Sequence, residues 1–164
     1  MNVVVQDTST IVNLLRAGLM QRVVVDLGLR VSTTDLVAHE VASPREALLE
    51  AVACALIEVT TPIEDEVEAL ASEQRGVAGL TLQDLSVVWL ARMLKCPLLS
   101  SDGRLRRYAQ ECSVTVHGEL WLLDRLVGEG CMAPQDAAHN SYYSGERLCR
   151  DVTEFRPTNV VLRG

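Results

Sequence analysis

The sequence predicts an α/β fold, a three-layer α/β/α sandwich around a central parallel sheet. Short β-branched or leucine-rich runs alternate with stretches whose apolar residues recur at helical spacing, and strands separated by helices pair in parallel through right-handed crossovers. A chain of 164 residues, 48% hydrophobic and 23% charged, is long enough to close one core without staples, so a single domain is expected.

The elements follow in order. Residues 2–6 read as a buried strand, 10–16 (TIVNLLR) as a short helix stopped by Gly18, and 19–25 as a further helical turn. Arg30–Thr34 reads as a strand, Asp35 as an N-cap, and LVAHEVAS as a helix ending ahead of Pro44. Residues 46–54 are helical in pattern, and ALIEVT at 55–60 has strand character. Thr61-Pro62 opens an acidic helix, IEDEVEALASEQR, with proline at the favoured first position, and Gly76 to Gly79 break it. From Thr81 to Lys95, Leu82, Leu85, Trp89 and Met93 mark one helical face. Pro97–Ser100 is a strand, Asp102–Glu111 a helix, Ser113–Val116 a strand, and Glu119–Val127 a helix between Gly118 and Gly128. Ala133–Ala138 starts another helix, Glu146–Glu154 suggests one more, and FRPTNVVLRG reads as extended or disordered.

Composition narrows the function. No window approaches the ~18 uninterrupted apolar residues of a membrane span, and the start lacks the basic flank and cleavage site of a signal peptide, so a cytoplasmic protein is expected. The five cysteines and three histidines stand singly, without the spacing of a zinc site, and the cysteines read as reduced, mostly core-filling thiols. A net charge of −7 argues against coating nucleic acid by bulk electrostatics. It leaves room for a nucleic-acid enzyme whose carboxylates gather around metal ions.

Working residues of parallel sheets lie beyond the carboxyl ends of the strands. Asp7 follows the first strand and Asp102 the strand 97–100, so two acids face one rim. Glu40, in the helix after the second strand, and Asp84, in the first turn of the helix near Thr81, can join them. Four carboxylates brought together repel unless a divalent cation holds them, and an all-oxygen set suits Mg²⁺ or Mn²⁺ rather than zinc.

These residues carry a resemblance. VVVQDTSTIVNLL, TTDLVAHEV, LTLQDLSVVWLARMLKCPLLSSDGRLRRYA and VTVHGELWLLDRL, in that order over about residues 2–130, resemble the successive blocks of a PIN-domain nuclease of the VapC-like toxin type. The resemblance implies a five-stranded parallel sheet over residues 1–130, a C-terminal helical extension over 131–164 and a pocket binding Mg²⁺ or Mn²⁺. It also implies an endoribonuclease acting as the toxin of a type II toxin–antitoxin pair, with RNA as substrate, an antitoxin protein as partner and a homodimer as assembly. By position the catalytic, metal-holding acids are Asp7, Glu40, Asp84 and Asp102. Ser9 matches the hydroxyl supporting the pocket from behind, and Ser100 stands where the family usually has threonine. Gln6 is polar where an apolar residue usually ends the first strand, and Ser101 replaces an acid that many relatives carry beside Asp102. In the likeness, the helices after the first strand and around 46–75 commonly meet an antitoxin or a second subunit.

Each residue also has an ordinary structural reading. Asp84 with Thr81 fits a capping box, Asp102 fits a first-turn acid, Glu40 a solvated helix residue and Asp7 a turn former. Arg104 and Arg106, with Arg107, could meet RNA phosphates through their forked donors, or form a solvated face paired with Glu111. Trp89 and Trp121 read as core or interface rather than base-stacking platforms. A haloacid-dehalogenase-type phosphatase needs a second acid where Ser9 stands, and a receiver domain needs a late lysine that Lys95, ahead of its strand, does not supply. A non-catalytic PIN-like binding module is the nearer alternative.

Overall fold

The computed structural model describes residues 3–141. The helix expected at Glu146–Glu154, the tail FRPTNVVLRG and Cys149 lie outside the described residues.

Five short strands form one parallel sheet: β1 (Val3–Gln6), β2 (Arg30–Thr34), β3 (Ile57–Thr60), β4 (Leu98–Leu99) and β5 (Val116–His117), in the order β3-β2-β1-β4-β5. Every pairing is parallel, with Val5 opposite Ser32 on one side and Leu98 on the other. β1 is central and buried along its whole length, which is why Val3–Val5 read as a continuous apolar run rather than an alternation. β3 is an edge strand, and its outward Glu58 forks onto Arg30 of β2 at 2.6 and 2.9 Å.

The order reverses at β1. From β1 the chain steps to β2 and β3 on one side, then returns to place β4 and β5 on the other. The carboxyl ends of β1 and β4 therefore flank the crevice where parallel sheets bind ligands.

Helices cover both faces: α1 (Thr8–Arg16), α2 (Met20–Val25), α3 (Asp35–Glu40), α4 (Arg45–Ala53), α5 (Glu64–Gln74), α6 (Leu82–Leu94), α7 (Gly103–Glu111), α8 (Glu119–Gly128) and α9 (Pro134–Ser141). α6 packs on β1 and β2 and buries Leu85, Val87, Val88, Leu90 and Ala91, more than one face, as a central helix must. Met93, assigned to its apolar face from spacing, is instead half exposed.

Several local expectations are corrected. Thr34, not Asp35, caps α3, because its Oγ1 accepts from Val37 N at 3.4 Å and Asp35 is already helical. That helix ends at Glu40, where Val41 turns extended, three residues short of the expected end at Ser43. α5 begins at Glu64 rather than at Pro62, since Glu66 accepts from the Ile63 backbone N–H at 2.8 Å and fixes Ile63 as the cap. β5 is displaced to Val116–His117 because Ser113 takes a left-handed turn at φ 61°. Among the described cysteines Cys96, Cys112 and Cys131 are half-buried against the core and Cys54 is exposed, so core-filling holds only in part; all four are free thiols.

Candidate active site

β1 delivers Asp7 to the switch point. The residue is 5% exposed and caps α1 with its own side chain. Its Oδ1 accepts from Thr10 N at 2.8 Å and from Ser9 Oγ at 3.1 Å, and its Oδ2 accepts from Ser100 Oγ, across the crevice from β4. Burial pushes the Asp7 carboxyl above the usual carboxylate range, and the hydrogen bonds from Ser100, Thr10 and Ser9 partly oppose that push. Among the described residues no ion pair involves Asp7, Glu40, Asp84 or Asp102.

Hydroxyl groups tie the other acid-bearing segments to this rim. Ser100 Oγ, already bonded to Asp7, accepts from the backbone N–H of Asp102 at 3.1 Å. Thr8 Oγ1, next to Asp7, donates to Glu40 at the end of α3. Thr34 Oγ1, at the end of β2, meets Ser86 Oγ at 2.7 Å in the first turns of α6, two residues beyond Asp84. Thr10 Oγ1 closes the ring on the Leu99 carbonyl at 3.3 Å. Loops leaving β1, β2 and β4 and the start of α6 are thereby held in fixed relation.

The carboxylates of Asp84 and Asp102 turn to local work. Asp84 Oδ2 accepts from Thr81 N at 2.8 Å and Thr81 Oγ1 at 2.9 Å, while Thr81 Oγ1 accepts from Asp84 N at 3.1 Å, a complete capping box. Asp102 Oδ1 caps α7 through Arg104 N and Leu105 N, each at 2.8 Å. In this arrangement no three His, Cys, Asp or Glu side chains among the described residues are gathered closely enough to hold a metal ion. The donor chemistry, oxygen ligands only, fits Mg²⁺ or Mn²⁺, but chelation by the set requires the four acids to come closer than they stand in this arrangement. Among the described residues, concavities elsewhere include a cleft of about 390 Å³ around Lys95, Cys96 and Cys112 and one of about 120 Å³ between α5 and α6.

Of the arginines, Arg106 reaches the rim, donating from Nη1 to the Ser100 carbonyl at 3.3 Å. Arg104 is exposed and lies over Gly79, whose missing Cβ would stand 2.7 Å from Nη1. Arg107 bonds back to the Gly103 carbonyl at 3.3 Å. Trp89 packs half-buried against the core. Trp121 stacks on His117 with centroids 4.3 Å apart and carries the Arg125 guanidinium at 5.2 Å. Burial, with Arg106 nearby, holds the His117 imidazole below its ordinary value.

Sequence reasoning passed over Glu119. It is 4% exposed at the start of α8, immediately past β5, and accepts from Asn13 Nδ2 of α1 at 2.9 Å. The rule that selected Asp7 and Asp102, an acid just beyond a strand end, would have found it.

A family model described as a PIN domain, DUF3368, matches residues 3–140. No curated protein matches the chain.

Proposed function

The chain belongs to the PIN domain family, and from that membership we propose that it is a Mg²⁺- or Mn²⁺-dependent endoribonuclease hydrolysing RNA phosphodiester bonds. The observation that carries the reading is Asp7: a carboxylate buried at the switch point of the sheet, oriented by Ser9, Thr10 and Ser100 and, among the described residues, in no ion pair. A buried charge of this kind is costly unless a cation compensates it.

Asp7 would hold the ion, with Glu40, Asp84 and Asp102 contributing directly or through water. When bound, the ion supplies a hydroxide near neutral pH and a clamp for the phosphoryl oxygens. Ser9 and Ser100 fix the direction of the Asp7 lone pairs, as partners of ligating carboxylates do. Arg106, anchored at Ser100, and the exposed Arg104 would receive backbone phosphates through forked donors.

The finer reading is a toxin of a type II toxin–antitoxin pair, working as a homodimer. Exposed Leu49 (55%), Val52 (36%) and Ile63 (64%) lie within 46–75 and support an apolar contact there with a second subunit or an antitoxin. Among the described residues no helix is long and apolar enough to cross a membrane.

A non-catalytic binding module is favoured by one observation, the commitment of Asp84 and Asp102 to helix caps. Incubating the protein and Asp7→Asn with mixed RNA and Mn²⁺ separates the two. Cleavage by the parent and its loss in the variant is expected; equal behaviour of both across several RNAs rejects the nuclease. Growth arrest on expression, relieved by the product of an adjacent small gene, tests the toxin reading.

A further inference from the structure

At the carboxyl end of β5 the chain builds an aromatic stack that the metal-dependent reading does not use. His117, the last residue of β5, lies against Trp121 in the first turn of α8, with ring centroids 4.3 Å apart and planes only 7° from parallel. One helical turn further on, the Arg125 guanidinium lies over the same indole at 5.2 Å and pairs with Glu129 at 2.7 Å. Arg125 therefore braces Trp121 with a charge that is already shared. Both rings are half-buried rather than enclosed, and among the described residues no second ring stacks on His117.

Hydrogen bonds tie this stack to the acidic rim. The Ser100 backbone N–H donates to the His117 carbonyl at 3.0 Å, while Ser100 Oγ donates to Asp7. The backbones of His117 and Asp7 thus stand on either side of β4, two strand spacings or roughly 10 Å apart along the sheet edge. Arg106 of α7 lies between them: its Nη1 donates to the Ser100 carbonyl at 3.3 Å, and its charge acts on the His117 ring. Arg106 is in no ion pair among the described residues and keeps further donors for an anion.

The chemistry of the stack selects its guest. Burial and Arg106 hold the His117 imidazole below its ordinary value, so at neutral pH the ring is uncharged and offers a π face. An unpaired nucleobase has free faces to lay on such a ring, whereas in a duplex both faces are covered by neighbouring bases. A guanidinium beside the stack suits the phosphate that joins one base to the next. An apolar protein side chain would use the rings and leave Arg106 without a counterpart.

We infer that the His117–Trp121 stack is a base-binding subsite for single-stranded RNA, with Arg106 taking the adjoining phosphate, so that the strand is presented to the Asp7 rim. The subsite rests on the reading of RNA as substrate; it does not require a bound metal.

Fluorescence of the full chain carrying Trp89→Phe, in which Trp121 is the sole tryptophan, decides it. A short unstructured RNA, the same RNA paired to its complement, and an abasic ribose-phosphate chain of equal length are titrated in chelator, so that no bond is cut. The single strand should quench Trp121 emission saturably, and the duplex and the abasic chain should bind on the order of tenfold more weakly or less tightly still. His117→Ala in the same background should weaken the single strand by about tenfold and leave the abasic chain unchanged. Equal affinity for the abasic chain, or unchanged affinity in the variant, overturns the subsite and leaves phosphate contacts alone. Emission that follows protein concentration without RNA assigns the stack to a contact between copies of the chain, and overturns it too. Should either variant not fold, calorimetric titration of the parent with the RNA and the abasic chain makes the same comparison. Cleavage that Asp7→Asn abolishes, in a protein whose Trp121 does not respond to RNA, would sink the subsite and keep the nuclease. Saturable quenching without cleavage in Mn²⁺ would do the reverse.

Discussion

Asp7 is held in place by neutral donors and carries a charge that burial disfavours. The sign of the consequence is definite. A raised folded pKa means that the ionised form costs stability, a cost absent below the unfolded value of 3.8 and complete above the raised folded value. Asp7→Asn should therefore melt higher than the parent at neutral pH in chelator, by a few degrees, and lose that advantage in acid, as thermal melts at two pH values would reveal. The same variant should lose cleavage by about a hundredfold or more. Ser100→Ala removes the hydroxyl that serves both Asp7 and the Asp102 N–H, and should cost about 1–3 kcal/mol in urea unfolding together with about ten- to a hundredfold in cleavage.

Among the elements, the start of α6 carries two duties that one pair of variants can separate. Thr81 caps the helix, and Asp84 completes the box while also being proposed as a metal-holding acid. Thr81→Ala should lower stability by about 1 kcal/mol and leave the acid in place. Asp84→Asn keeps an oxygen for the Thr81 N–H, so its stability should change little while cleavage falls. Denaturant midpoints read beside RNA cleavage would show the crossing; a cleavage loss that merely follows stability in both variants would reduce Asp84 to a cap. The same economy recurs at α1 and α7, where Asp7 and Asp102 are N-caps as well as rim acids. An acid at the N-terminal turn of a helix is favoured by the helix dipole, so capping and site-building select the same residue type at the same place.

At the scale of the molecule, one core runs from β3 to β5, and the rim depends on its integrity. Leu98 in β4 is fully buried beside β1. Leu98→Ala should cost about 2–5 kcal/mol in equilibrium unfolding and loosen the Asp7–Ser100 crevice with it. The pH response of the whole chain should include a contribution from His117, which burial and Arg106 hold below its ordinary value of 6.5. The unfolded state then binds the proton more readily, so stability falls as pH drops below about 6.5 and levels once the folded imidazole titrates. His117→Phe keeps an aromatic ring against Trp121 and should flatten that part of the stability profile measured from pH 7 to 5.

The linear sequence determined the succession of strands and helices, because each period reflects which faces the local chain must bury, and that demand is written residue by residue. It also marked Asp7 and Asp102, whose places depend only on following a strand. It misjudged the ends of α3 and α5 and the position of β5, where a threonine hydroxyl, a glutamate reaching backward and a left-handed serine decide the outcome over one or two bonds. Strand order, and with it the switch point between β1 and β4, was settled only by tertiary packing, since pairings between residues ninety positions apart leave no local trace. For the same reason the hydroxyl ties from Ser100 to Asp7 and from Thr8 to Glu40 and the buried Glu119 belong to the folded molecule: each depends on which neighbour the sheet brings alongside.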